Sequence, residues 1–96
     1  MAAYAIFIRE KLRDPQTIEA YNAKAGPSLE GHPGKILAAY GGIEALEGAA
    51  AEGVVLLEFP DMRAAKAWYD GPAYRAAREI RFRAADYRVL FFEGCP

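Results

Sequence analysis

The stretch Gly53–Tyr74, GVVLLEFPDMRAAKAWYDGPAY, carries a strand, a stop, a helix, a break and the start of a second helix. Val54–Phe59 is a continuous apolar run broken only by Glu58, the pattern of a strand covered on both faces. Pro60 ends it, because proline has no N–H to give to a ladder. Asp61 can cap the free N–H groups of a following helix. Met62, Ala65, Trp68 and Tyr69 then recur at helical spacing and form its inner face. Adjacent positions cannot both point fully inward, so one of Trp68 and Tyr69 is expected at a helix edge. Asp70-Gly71-Pro72 breaks the helix, and a second one is predicted from about Ala73 to Ala84 with Tyr74, Ala77 and Ile80 inward.

Upstream, Ala3–Ile8 is an almost wholly apolar run and reads as a central strand. Asp14-Pro15 opens a helix, with the aspartate as cap and the proline where no hydrogen bond is lost. Ile18, Tyr21, Ala25 and Leu29 share one face, and Gly26-Pro27 kinks or restarts the helix. Lys35–Tyr40 and Ile43–Glu47 read as extended pieces. Between them Gly41-Gly42 fits either a tight hairpin or a bulge that bends one long strand. The bent strand is preferred, because Gly48–Gly53 offers the better hairpin loop. Tyr87–Phe92 is the last strand, ended by Glu93-Gly94.

The order β-α-β-β-α-β predicts one α+β domain over residues 1–96. Its fold is a ferredoxin-like sandwich, a four-stranded antiparallel sheet with helices on one face. The strands are nonetheless apolar on both faces. Val54, Leu56 and Glu58 point one way, and Val55, Leu57 and Phe59 the other. The helices cover one face and nothing in the chain is left for the second, so a homodimer is expected, closed sheet against sheet.

These residues resemble the domain-of-unknown-function 1330 family, within the dimeric α+β barrel superfamily. The resemblance rests on LEFPD at 57–61, AWYDGPAYR at 67–75 and GGIEALEG at 41–48, and it extends from Tyr4 to Gly94. The turn Gly31-His32-Pro33-Gly34 and the Cys95-Pro96 tail depart from the pattern. The resemblance implies the fold and the dimer and carries no catalytic residue with it.

Composition narrows the function without naming it. Apolar residues make up 53% of the 96, high for so small a body. The net charge of −1 leaves no field to attract nucleic acid or anionic lipid. It is unevenly spread: residues 1–62 hold five Lys/Arg against nine Asp/Glu, and residues 63–96 hold seven against four. Neither a secretory leader nor an apolar run long enough to span a membrane is visible. Cys95 is the only cysteine, so no internal disulfide and no thiolate metal cluster can form, which fits a reducing cytoplasm. The central strand VVLLEF lacks the basic-aromatic motif of ferredoxin-like RNA binders. No phosphate loop or nucleophile elbow is present, and no cofactor is expected.

Candidate chemistry rests on a few side chains. His32, the only histidine, is a natural general acid or base, set in a turn where it also reads as a plain exposed residue. Without nearby cysteines or patterned carboxylates it makes no metal site. Glu58 is the one acid on an apolar strand. It reads either as a proton-transfer group facing a cavity or as half of a structural ion pair. Arg78 and Arg81 lie close on a helix within a basic segment that also holds Arg75, Arg83 and Arg88. They suit a carboxylate or phosphate, or else a solvated face paired with Glu79 and Asp86. Tyr4, Tyr21, Trp68, Tyr69, Tyr74 and Tyr87 suit an aromatic pocket, or simply a core. The expectation is a small aromatic or carboxylate-bearing ligand between sheet and helices. Glu58 and Arg78 would form its polar wall, His32 ranks behind them, and Tyr21 and Trp68 would lie against the ligand. The competing expectation is a non-enzymatic dimeric module with a filled interior.

Overall fold

In the computed structural model, which describes all residues from Met1 to Pro96, the elements follow the expected order. They are β1 (Ala3–Leu12), α1 (Pro15–Ala25), β2 (Lys35–Ala39), β3 (Gly53–Phe59), α2 (Met62–Asp70), α3 (Pro72–Ala84) and β4 (Ala85–Glu93). The sheet runs β2-β3-β1-β4 and all its pairings are antiparallel. This is the ferredoxin-like arrangement.

The caps act as the sequence implies. Asp14 accepts from the amides of Gln16 and Thr17, and Asp61 from that of Ala64. A 3-10 turn at Pro27–Leu29 restarts the chain after Gly26. β1 runs past Ile8 to Leu12, because β4 begins as early as Ala85 and still offers partners there, Asp86 to Lys11 and Ala85 to Leu12. The ladder slips between Arg9 and Lys11 to allow it.

The long bent strand does not form. β2 stops at Ala39, and Ile43–Glu47 lies in an exposed loop that joins no sheet. The irregularity falls earlier, between Ile36 and Ala38 opposite β3. Tyr40 takes a left-handed φ of 55°, which turns the chain out of the ladder before either glycine is reached. Beyond it the loop carries Leu46 with 84% of its surface in water.

Ala3, Ala5, Phe7, Leu57 and Phe59 from the sheet pack under Ala65 and Trp68 of α2 and Tyr74, Ala77 and Ala84 of α3. α1 adds Ile18 and Tyr21. Trp68 goes fully inside while Tyr69 stays half-buried, which settles the competition between those neighbours. The α3 stripe contains a surprise. The buried positions are Tyr74, Ala77, Arg81 and Ala84, so an arginine follows the inner face and Ile80 sits half-buried beside it.

No helix covers the other face of the sheet. The register sets Ala38, Leu56, Ile6 and Leu90 in one row across the four strands. A second row holds Lys35, Glu58, Tyr4 and Phe92. Leu90 and Phe92 are each 45% exposed, so much of this apolar face meets solvent in a single chain.

Candidate functional site

Between the helices and the sheet lies a cavity of about 280 Å³. Its volume equals that of about nine waters in the liquid, or a small organic molecule. Phe7, Leu57 and Val55 make the sheet side, Trp68 and Tyr74 the deep end, and Ala25 and Leu29 the wall below α1. Asn22 on α1 and Gly26 just after it, with Ile36 and Ala39 on β2 and Tyr40 just beyond it, rim the mouth. Eleven of the 13 lining residues are hydrophobic. The wall contains no carboxylate and no histidine.

The tyrosine hydroxyls form two pairs. The Tyr21 and Tyr74 hydroxyls lie 2.8 Å apart. Those of Tyr40 and Tyr87 lie 2.6 Å apart. Tyr40 reaches Tyr87 by laying its ring over Gly53, where a side chain would not fit: a methyl there would stand 2.6 Å from the ring. The Trp68 indole N–H donates to the Ser28 hydroxyl at 3.0 Å, which leaves the deep end without a free indole donor. Burial is the main force that pushes the Tyr21, Tyr74 and Tyr40 phenols above their ordinary pKa, with Tyr74 reinforcing it at Tyr21 and Tyr87 at Tyr40. Arg81 pulls Tyr74 and Tyr21 the other way. The phenols therefore stay protonated at neutral pH and act as hydroxyl groups, not as bases.

Of the residues singled out from sequence, Tyr21 and Trp68 line the cavity. Arg78 does not: it sits on the flank of α3, its guanidinium 4.4 Å above the Tyr69 ring and 3.4 Å from the Asp70 carboxylate. Glu58 is elsewhere again. Its place in β3 alternates with Leu57 and Phe59, so it points to the open face, where the Tyr4 hydroxyl donates to it at 3.2 Å. Glu58 and Arg78 thus stand on opposite sides of the sheet and cannot pair. Glu58 instead borders a second, open depression with Ala2, Pro33 and Lys35. His32 remains half-buried in its turn, its N–H bonded to the Leu29 carbonyl, outside both lining sets.

Two features near the cavity, the place of Tyr40 and the burial of Arg81, were not legible in the sequence. Tyr40 reaches the rim of the mouth only because the chain turns at φ 55°, and nothing in the sequence marks that turn. Arg81 is a sequence candidate for a carboxylate or phosphate but not for burial, although its spacing from Tyr74, Ala77 and Ala84 is that of the buried stripe.

Solved structures share this architecture. A protein of unknown function from Rhodopseudomonas palustris superposes with a TM-score of 0.78 at 20% identity, over 99% of this chain and 83% of that one. A dimeric ferredoxin-like protein of unknown function from Thermobifida fusca gives 0.68 at 18% identity, over 96% and 90%. The cofactor-independent oxygenase SnoaB from Streptomyces nogalater gives 0.64 at 10% identity, over 99% and 94%. At such identities the likeness is one of fold, and a protein from Mesorhizobium loti in the same set is described both as a dabb family member and as ferredoxin-like. No curated protein matches this chain. The sequence profile of the domain of unknown function DUF1330 matches residues 2–95, and the chain belongs to that family.

Proposed function

We propose that this protein is a cytoplasmic homodimer that binds one small, largely apolar, aromatic-sized molecule in the cavity between sheet and helices of each subunit. The observation that carries the reading is the cavity itself. Protein interiors are close-packed, and a void of this size costs stability unless something occupies it. Its walls are apolar, its mouth is open at β2 and α1, and a few tyrosine hydroxyls supply polar groups, the usual build of a small-molecule site. The dimer is supported by the exposed apolar row of Leu90 and its neighbours and by the dimeric relative from Thermobifida fusca. The wall holds hydroxyl donors and no group that titrates near neutrality, which favours binding over acid–base turnover.

Titration with indole, followed by amide NMR shifts and thermal melts, tests the proposal. Binding should move the signals of Tyr21, Trp68 and Tyr74 and raise the melting temperature. Ala39→Phe places a ring in the mouth and should abolish the response while the protein stays folded. The competing reading, a dimeric module without a ligand, predicts no response from these residues at millimolar indole.

A further inference from the structure

Arg81 lies in the third turn of α3 with only 3% of its surface exposed. Arginine cannot shed its charge by losing a proton at any ordinary pH. A buried guanidinium therefore needs an anion or a full set of acceptors. Arg81 has neither. The chain's ion pairs join Arg9 to Glu52, Arg13 to Asp86, Arg78 to Asp70 and Arg88 to Glu10, and leave Arg81 out. Its buried Nε has no hydrogen-bond partner. Rings surround it instead: its guanidinium carbon lies 5.0 Å from the Phe82 centroid, 5.1 Å from that of Tyr87 and 5.7 Å from that of Phe7. Ring faces attract a cation, but they neither balance its charge nor accept its N–H bonds as a carboxylate does.

The missing anion has one evident place. Phe7, whose ring lies within 5.7 Å of the Arg81 guanidinium, lines the cavity, and so do Tyr21 and Tyr74, the two phenols whose ionisation Arg81 favours as a neighbouring positive charge. In each hydroxyl pair one proton is used between the partners, which leaves one free to donate. Arg9 adds a second cation beside the other hydroxyl pair, 5.2 Å from the Tyr40 centroid, and its partner Glu52 is exposed on the loop side. The cavity thus has an apolar body with tyrosine hydroxyls, and the unpaired Arg81 charge stands behind those tyrosines without lining the cavity, in a low-dielectric setting where charge is felt strongly.

We propose that the cavity selects a monocarboxylate with an apolar body, its carboxylate held by the free hydroxyl proton of the Tyr21–Tyr74 pair and its charge balanced by Arg81. This deepens the binding reading above and rests on it. Arg81 is a positioning and charge-balancing residue here; the hydroxyls make the contact.

The test uses two probes of equal shape and different charge, 3-phenylpropionate and 3-phenylpropan-1-ol, titrated into the intact protein at neutral pH and followed by amide NMR. The acid should bind at least about tenfold more tightly than the alcohol, the scale of a charge-assisted contact in a dry site. Arg81→Met should erase that preference and leave alcohol binding nearly unchanged, and Arg81→Lys should retain part of it. If Arg81→Met does not fold, the wild-type comparison still decides. Equal affinities for acid and alcohol, or a preference that survives Arg81→Met, would overturn the inference while the cavity reading stands. Acid-induced shifts confined to surface arginines would overturn it too. If neither probe perturbs Tyr21, Trp68 or Tyr74, the cavity reading falls and this inference with it.

Discussion

Trp68 shows what a single side chain contributes here. Its ring lies 4.2 Å from that of Tyr74 and 5.5 Å from that of Phe59, and meets Phe7 edge-on at 6.0 Å. Trp68→Ala should therefore cost about 3 kcal/mol or more, the usual loss for a buried large aromatic, read from a denaturant melt. A loss below about 1 kcal/mol would mean that the neighbours close the gap, against the close packing of such cores. Glu58 marks the other extreme. It sits on the open face with Tyr4, away from the cavity, so Glu58→Gln should leave indole binding unchanged. A loss of binding in that variant would mean that the open face shapes the site.

Helix ends and strand ends decide where the cavity opens. At the start of α1 the Thr17 hydroxyl, then the backbone amides of Thr17 and Gln16, hold the Asp14 carboxyl below its ordinary 3.8. A depressed folded pKa adds stability that is present above the unfolded value and lost as pH falls through the folded one. Asp14→Asn keeps the cap and removes the charge, so its acid unfolding curve should lack that component below about pH 4, seen by circular dichroism across an acid titration. At the end of β2, Tyr40 depends on the bare backbone of Gly53. Gly53→Ala should push the ring off, break its bond to Tyr87 and cost about 1–3 kcal/mol, as overpacking does. Tyr40 and Tyr87 side-chain NMR signals would report the separation. Unchanged signals would show that the mouth tolerates the methyl.

Two such sheets facing each other would bury what one chain exposes. The row Ala38, Leu56, Ile6 and Leu90 runs straight across the strands, flanked by Tyr4 stacked on Phe92 at 5.6 Å. Sedimentation at micromolar concentration should give about twice the 10.5 kDa chain mass. Leu90→Asp places a charge at the β4 end of that row and should yield monomers, since a buried unpaired carboxylate opposes association. A wild-type monomer would leave the apolar row without a cover.

Much of this was legible in the chain. Period-two and helical spacings, with Asp14, Asp61 and the Pro-Gly breaks, define the elements and their order, because local backbone chemistry acts through near neighbours. The run Val54–Phe59 also marks both faces of the sheet as apolar. Tertiary packing decided the rest. The turn at Tyr40 replaced a bent strand, since its ring finds Gly53 and Tyr87 from strands distant in sequence. Glu58 and Arg78 were separated by the thickness of the sheet, because a one-residue step in a strand reverses the face. Arg81 moved from a surface cluster into the core, because α3 presents every third or fourth residue inward whatever its charge. Charge and polarity along the chain mark which residues can do chemistry; only the packed layers determine which of them meet around a common space.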